Sequence, residues 1–428
     1  MERGSRSEIP PSRYFAPVGG ELGCDGASLS AIAATFGTPT HVYAARAIDD
    51  AYGALDRALG SGSHRICYAM KANGHPAIVR RLGALGAGVD AVSGGELTWA
   101  RRSGIAADRI VMSGVGKTDA EIGLALDLGI RAIHVESEAE LEVVAAAARV
   151  RRARAPIALR INPDVDAATH PYLATGVTDT KFGIDLSTAR RLLPGIVASS
   201  DLALEAVACH IGSQIPSAAP LEAAVAIAAG FARQCAEAGA PIRALDAGGG
   251  WPIAYGDEDA PLASWGELAE ALRAGVRRGG AGALNLELLV EPGRALVGDA
   301  GALLTRVLYV KEQAGKRFVV VDAAMTELVR PALYGAYHAI VPVRSRPGAS
   351  GPADVVGPVC ETGDFLAQGR MLGPVERGDL LLVRGTGAYG ASMASRYNLR
   401  PSAAEVMVEA AVPTLISPRG RVEDLFPG

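Results

Sequence analysis

The sequence predicts an α/β chain built as an eight-stranded (β/α)8 TIM-like barrel with an all-β C-terminal domain. Three observations carry that prediction. Between about residues 40 and 300, short apolar segments alternate with Ala- and Leu-rich stretches at helical spacing, and eight of those segments read as strands. No dinucleotide fingerprint accompanies the alternation, which favours a closed barrel over an open doubly wound sheet. After about residue 300 the helical stretches fade and apolar segments with glycine-rich connections take over.

The strand candidates run in order: "RICYAMK" (65–71), "GVDAVS" (88–93), "RIVMSG" (109–114), "RAIHVES" (131–137), "IALRIN" (157–162), "LEAVACHIGS" (204–213), "RALDAGGG" (243–250) and "LELLVEPGR" (286–294). Stretches such as "TDAEIGLALDLG" and "LEAAVAIAAGFARQCAEAG" carry apolar residues at helical spacing and end in glycine, a C-cap signal. In the last third, "ALLTRVLYVKE", "KRFVVVDAA", "ADVVGPVCE", "GDLLLVRGTG" and "AEVMVEAAV" read as strands of the β-domain. The expected organisation is residues 1–40 as an N-terminal segment completing the β-domain, 41–300 as the barrel and 301–428 as the β-domain, with "THVYAA" a strand preceding the barrel.

Composition narrows the function. The 428 residues are 49% hydrophobic and 21% charged, ordinary for a globular chain, and allow two or three domains. A net charge of −4 offers no footprint for nucleic acid or anionic membrane. No apolar run reaches membrane-spanning length, and "MERGSRSEIPPSRYF" lacks the apolar core of a signal peptide. Five scattered cysteines (Cys24, Cys67, Cys209, Cys235 and Cys360), with no CxxC pair, predict neither a disulfide framework nor a metal site, and fit a reducing cytoplasm. "GVGKTD" holds a GKT, but Val111 stands where a phosphate-binding P-loop needs its first glycine. "GGGWPIAYG" departs from GxGxxG at Ile253, and "ARVRRARAP" reads as a solvated helix end.

In such a barrel the chemistry gathers at the C-terminal ends of the strands. Those ends supply Lys71, Ser93, Gly114, Glu136, Arg160 to Asn162, His210 to Ser213, Gly248 to Gly250, and Glu291 to Arg294. Taken singly, Lys71 reads as a solvated cation and His210 as a satisfied core histidine. Together they form a lysine, a histidine, an acid and two segments able to cradle a phosphate, a set that predicts pyridoxal 5'-phosphate. Lys71 would hold the aldehyde as a Schiff base, with burial keeping its amine unprotonated. Gly248, Gly249 and Gly250, with Gly293, would let backbone N–H groups approach the phosphate. His210 would stack on the pyridine ring. Glu291 would keep the ring nitrogen protonated, which suits decarboxylation; an arginine there would suit racemisation.

The runs "YAMKAN", "VSGGEL", "VESEAEL", "RINPDVDAATHPYLATGVTDTKFGI", "CHIGSQI", "LDAGGGWPIAYG", "EPGRALV", "RPALYGAYH", "CETGDFLA" and "GAYGASMASRYNLRPSAAEVMV" make the chain resemble the diaminopimelate decarboxylases. These are fold-type III pyridoxal phosphate enzymes with an alanine-racemase-like barrel and a β-domain. The resemblance spans about residues 15 to 412; the "RINPDV" run and "CETGD" are its specific parts, whereas "YAMKAN" is shared more widely.

That resemblance implies decarboxylation of meso-2,6-diaminopimelate to L-lysine, the last step of lysine biosynthesis. It implies Lys71, His210, Ser213, Gly248, Gly249, Gly250, Glu291, Pro292, Gly293, Arg294 and Tyr389 as cofactor contacts. Arg294, Arg330, Tyr334, Glu361 and Tyr389 match substrate contacts. Lys71, Glu291, His210 and Cys360 match the catalytic set, with Cys360 the acid thiol reaching a neighbouring subunit's site across a homodimer. A buried apolar role is the commoner fate of a cysteine, but the polar, glycine-flanked "VCETGD" argues otherwise. The chain departs from the family pattern at Ala324, Thr326, Glu327 and Thr362, which bears on which amino acid is accepted. The alternative reading is a paralogous decarboxylase for ornithine, lysine or a carrier-bound amino acid. A non-catalytic pyridoxal phosphate carrier is the rival of another class, and a carrier needs no acid thiol.

Overall fold

Eight parallel strands follow one another around a closed ring in the computed structural model, which describes residues 12–167, 176, 180–258 and 260–426. They are His64–Ala69, Gly88–Ala91, Ile110–Met112, Ala132–Val135, Ala155–Asn162, Leu202–Ala208, Ala244–Asp246 and Glu287–Val290. Each pairs with the next, and the eighth closes on the first through Leu288 opposite His64 and Val290 opposite Ile66. The expected barrel is therefore present. A two-residue strand, Ile184–Asp185, pairs with the fifth barrel strand as well.

The interior is closed by small and apolar side chains, among them Cys67, Val111, Ala132, Ala158, Ala206, Ala244 and Leu289. Alanine at so many inward positions leaves room for the polar groups that share the interior. Helices start where the sequence places a capping side chain. Ser93 accepts from the Glu96 N–H, and Ser137 from the Glu140 N–H. Thr118 with Glu121 and Ser264 with Glu267 form capping boxes, in which two orphan donors are satisfied reciprocally. Such caps contribute about 1 kcal/mol each and fix where the strand-to-helix loops end.

Packing divides the chain into two units: the described residues of 1–51, 253–259 and 296–428 form one, and those of 52–252 and 260–295 form the barrel. In the first unit the strand Thr40–Ala44 lies between Gly301–Gln313, antiparallel, and Ala404–Glu409, parallel. It starts at the expected boundary at residue 40 but belongs to the β-unit, because its five residues are all buried between two β-unit strands. The sheet continues through Lys316–Val321, Gly351–Val356 and Phe365–Leu372, while Leu380–Arg384 pairs with Gly301–Gln313. Leu303, Val307, Val319, Val321, Leu366, Leu381 and Val383 form its core, each such burial worth about 1.5–3 kcal/mol. No helix among the described residues is long and apolar enough to cross a membrane. The N-terminal run to residue 11 and residues 168–175 and 177–179 of the "RINPDV" run lie outside the described residues.

Candidate active site

Lys71 lies in the single 3-10 turn Met70–Ala72, immediately beyond the buried end of the first barrel strand. The turn is pinned from below. The Tyr68 hydroxyl donates to the Asn73 carbonyl (2.9 Å), Asn73 Oδ1 accepts the His75 N–H (3.1 Å), and His75 Nδ1 caps the helix Pro76–Ala84. Lys71 itself is exposed, contrary to the expectation that burial keeps its amine neutral. Two residues past the last strand position, the chain has already left the sealed interior. Its charge nevertheless reaches Glu291, Glu96 and His210, acting on all three.

His210 follows the sixth strand and is half-buried, and its Nδ1 accepts the Gly249 N–H at 3.1 Å. Burial, then the Arg160 and Lys71 charges, push its pKa well below the ordinary value, so the ring is neutral. The Gly248 N–H donates to Asp246 Oδ1 at 2.8 Å. Two of the three glycine N–H groups expected to face a phosphate are thus committed within the protein, which leaves Gly250. A Cβ on Gly249 would lie 2.5 Å from the Glu291 carbonyl oxygen, so that position requires glycine for the backbones to approach. Gly250 adopts φ +91°, and a Cβ there would lie 2.6 Å from the Gly212 carbonyl. Gly293 packs against the Lys71 turn, where a Cβ would meet Ala72 Cβ at 2.9 Å. Arg294 is buried and donates through Nη2 to Ser213 Oγ (3.2 Å), and the Pro292 carbonyl accepts the Ala69 N–H, tying the eighth loop to the first strand.

Beneath these loops sits a buried polar cluster. Glu291 Oε1 is a buried oxygen with no hydrogen-bond partner. His134 Nδ1 stands 3.6 Å from it, and His134 Nε2 stands 3.8 Å from Asp246 Oδ2. Those distances are Coulomb contacts rather than hydrogen bonds. Asp90 is a further carboxylate in the same interior, bonded to Ser113. Burial, then Asp246 and Asp90, hold the Glu291 carboxyl well above its usual range; burial pushes Asp246 up to about 7. Burial, helped by Lys117 and Arg160, drops His134 to about 3. Glu291 and Asp246 share one desolvated space and are both held toward their protonated forms, so the pair retains a proton near neutral pH. His134, Asp246 and Glu291 also offer ligand atoms within 4.8 Å of one another. With both acids held toward their protonated forms, the set can give a proton to a basic nitrogen and then pair with the cation formed.

At the fourth and fifth strand ends, Arg160 and Glu136 form a buried pair at 2.9 Å, and Glu136 also accepts the Gly114 and Gly183 N–H groups. The lysine of the "GKT" run, Lys117, is spent internally. Its ammonium donates to the Gly114 carbonyl, the His134 carbonyl and Glu140 at 2.5–2.6 Å.

The β-unit holds the remaining predicted residues. Arg330 begins the helix Arg330–Tyr334 and is buried, with Nη1 donating to Tyr255 Oη (3.1 Å) and His338 Nε2 (2.8 Å). Tyr334 ends that helix, half-buried. Cys360 is an exposed free thiol whose N–H donates to Asn398 Oδ1 (2.9 Å); Glu361 beside it is exposed and accepts the Gly363 N–H. Asp364 shapes this loop by accepting the Val359 and Met325 N–H groups at 2.7 and 2.6 Å. Tyr389 adopts φ +58°, a left-handed conformation that costs of order 1–3 kcal/mol for a tyrosine. Of the departures from the family pattern, Thr362 is exposed, while Ala324, Thr326 and Glu327 are buried together. Glu327 accepts the Ala324 N–H and the Thr326 hydroxyl. Those three form one another's local hydrogen bonds, a structural role.

Sequence reasoning missed His134, Asp246 and Asp90. The signal was there: each is a lone polar residue inside a strand otherwise apolar, "AIHV", "ALD" and "GVDA".

Comparison with known proteins supplies a family. Residues 45–298 match the family described as "Pyridoxal-dependent decarboxylase, pyridoxal binding domain". The chain is 43% identical to the diaminopimelate decarboxylase of Aquifex aeolicus, over 95% of both chains. It is 44% identical to that of Pseudomonas fluorescens, over 96% of this chain and 97% of the relative. Among solved structures, the Helicobacter pylori diaminopimelate decarboxylase complexed with L-lysine superimposes with a TM-score of 0.88 at 38% identity, over 92% of this chain and 98% of that one.

Proposed function

The chain belongs to the diaminopimelate decarboxylase family of pyridoxal-dependent enzymes, and from that premise we infer that it converts meso-2,6-diaminopimelate to L-lysine and carbon dioxide. The observation that carries this reading is the buried, unpartnered Glu291 Oε1, ringed by groups that hold its carboxyl toward the neutral form. Such an oxygen fits the ring nitrogen of pyridoxal phosphate, to which it can pass its proton and then stay as the ionic partner. Bound pyridoxal phosphate supplies a protonated aromatic ring that accepts the electron pair left when carbon dioxide departs.

The chain's own groups do the rest. Lys71 is the covalent anchor for the aldehyde, reachable because it is exposed at the strand end, and it moves protons at the reacting carbon. His210, neutral and fixed by the Gly249 N–H, would offer its ring to the aromatic cofactor. The Gly250 N–H, with Ser213, Gly293 and the backbone leading into Arg294, serves the phosphate. Glu291 holds the ring nitrogen, with His134 and Asp246 behind it. Arg294, Arg330, Tyr334, Glu361 and Tyr389 contact the substrate, and a guanidinium suits its distal carboxylate. A kcat/KM survey over meso-diaminopimelate, L-lysine and L-ornithine tests the substrate. The reading expects the first to be preferred by about 100-fold or more; equal use of lysine or ornithine refutes it.

The working form is a cytoplasmic homodimer whose active sites are shared, Cys360 and Glu361 being donated across an isologous interface. The support is that Cys360 is an exposed free thiol on a loop tied by Asp364 to the Val359 and Met325 N–H groups, and that the other four cysteines are buried and free, as a reducing compartment allows. A thiol can lose and regain a proton near neutral pH once its neighbours tune it. Inactive Lys71→Ala and Cys360→Ala variants, mixed under subunit exchange, are expected to recover about a quarter of wild-type activity, since half the dimers carry one complete site. No recovery, with exchange confirmed, overturns the shared site.

A further inference from the structure

The hydrogen bonds of Arg330 are specific in a way that its charge alone does not require. Both Nη1 contacts are neutral acceptors: Tyr255 Oη at 3.1 Å and His338 Nε2 at 2.8 Å. The guanidinium also lies over the Tyr255 ring, 5.0 Å from its centroid, and the His338 ring meets Tyr255 edge-on at 5.3 Å. His338 is fully buried, and its Nδ1 faces the Arg384 carbonyl at 2.9 Å. A carbonyl only accepts, so Nδ1 carries the hydrogen; a guanidinium only donates, so Nε2 carries the lone pair. The two contacts together fix the tautomer, the ring orientation and the neutral state of His338.

We propose that His338 is a positioning residue for substrate recognition: anchored at Nδ1 by the Arg384 carbonyl, it takes one Nη1 hydrogen of Arg330 at Nε2 and so aims the guanidinium at the distal carboxylate of the substrate. The inference rests on the reading of Arg330 as a substrate contact. An arginine has four rotatable side-chain bonds, and ordering them only when the substrate arrives weakens binding. His338 and Tyr255 take both Nη1 hydrogens in advance, which sets the plane of the guanidinium before the substrate arrives. Neither His338 nor Arg384 touches the reacting carbon in this scheme, so the effect falls on substrate affinity rather than on turnover.

Two amide replacements separate the two ring nitrogens. In His338→Asn the amide reaches only the Nδ1 position and can keep the Arg384 contact; in His338→Gln it reaches the Nε2 position and can keep the acceptor for Arg330. The cofactor-loaded enzyme with asparagine is expected to show a KM for meso-diaminopimelate raised roughly tenfold, and an L-lysine inhibition constant raised in parallel. Its kcat stays within about threefold and its cofactor absorbance is unchanged. The glutamine enzyme restores KM to within about threefold of wild type. Equal KM values in the two variants, or a tenfold rise with glutamine, overturn the proposal. Should the asparagine variant not fold, Tyr255→Phe takes its place: with His338 holding the guanidinium KM rises less than about threefold, and a tenfold rise overturns the assignment. Arg330→Ala is measured alongside; if it leaves KM unmoved, the reading of Arg330 itself fails, a result distinct from failure of the His338 variants.

Discussion

Replacing Lys71 by alanine is expected to lower kcat by about 1,000-fold or more while leaving the fold intact. The expected loss is large because the proposed reading gives one amine two roles, covalent anchor and proton carrier, and Lys117, near the third barrel strand, is already bonded to three internal oxygens. The stability change is small because Lys71 is exposed on a turn held by Tyr68, Asn73 and His75, and a surface truncation away from such contacts shifts stability by about 0.5 kcal/mol or less. Single-turnover decarboxylation with a thermal melt checks both halves. Partial rescue by a small primary amine such as ethylamine is expected, since it replaces the proton carrier. Retention of near wild-type turnover would refute the role.

Glu291→Gln is expected to lower kcat by about 100- to 1,000-fold while cofactor affinity changes by less than about tenfold. Glutamine keeps the size of the side chain but cannot hand over a proton or hold a negative charge against a ring N–H. The phosphate contacts of the other loops are untouched. The cluster also predicts a pH signature in the cofactor-free protein. Glu291 and Asp246 have carboxyl pKa values raised by folding, Asp246 to about 7. Their protonated forms are therefore favoured in the folded state. Stability from this source is fully present below their unfolded values near 4, and the Asp246 share is lost as pH rises through about 7. The melting temperature of the cofactor-free wild type should fall between pH 5.5 and 8.5, and that of the glutamine variant should fall less. A steeper fall in the variant would contradict the shared-proton cluster.

How far the sequence could be read depends on which physical signal each feature left. The barrel strands were legible because apolar runs alternate with capped, periodic helices, and the groups just beyond them were legible because strand ends are where such folds keep their chemistry. The strand Thr40–Ala44 was seen, but its allegiance to the β-unit was not, since pairing with Gly301–Gln313 and Ala404–Glu409 spans more than 250 residues of sequence. His134, Asp90 and Asp246 escaped notice because a polar residue inside an apolar strand declares its importance only when several converge on one interior. The destination of the Gly248 and Gly249 N–H groups was equally hidden. A glycine run announces close approach, but not whether the approaching group is a phosphate or, as here, the protein's own Asp246 and His210. His338 lay within a motif legible as substrate-binding, yet its tautomer followed only from the Arg384 carbonyl and Arg330 on its two sides.

The claim on which the account turns is that Lys71 is the lysine that would carry pyridoxal phosphate. Borohydride reduction of the cofactor-loaded protein, followed by digestion and peptide mass mapping, tests it directly, because reduction makes the lysine–cofactor bond permanent. The pyridoxyl mass is expected on the peptide containing Lys71, and substrate added before reduction should diminish that label. A pyridoxyl mass on any other lysine, with the Lys71 peptide unmodified, would contradict the account.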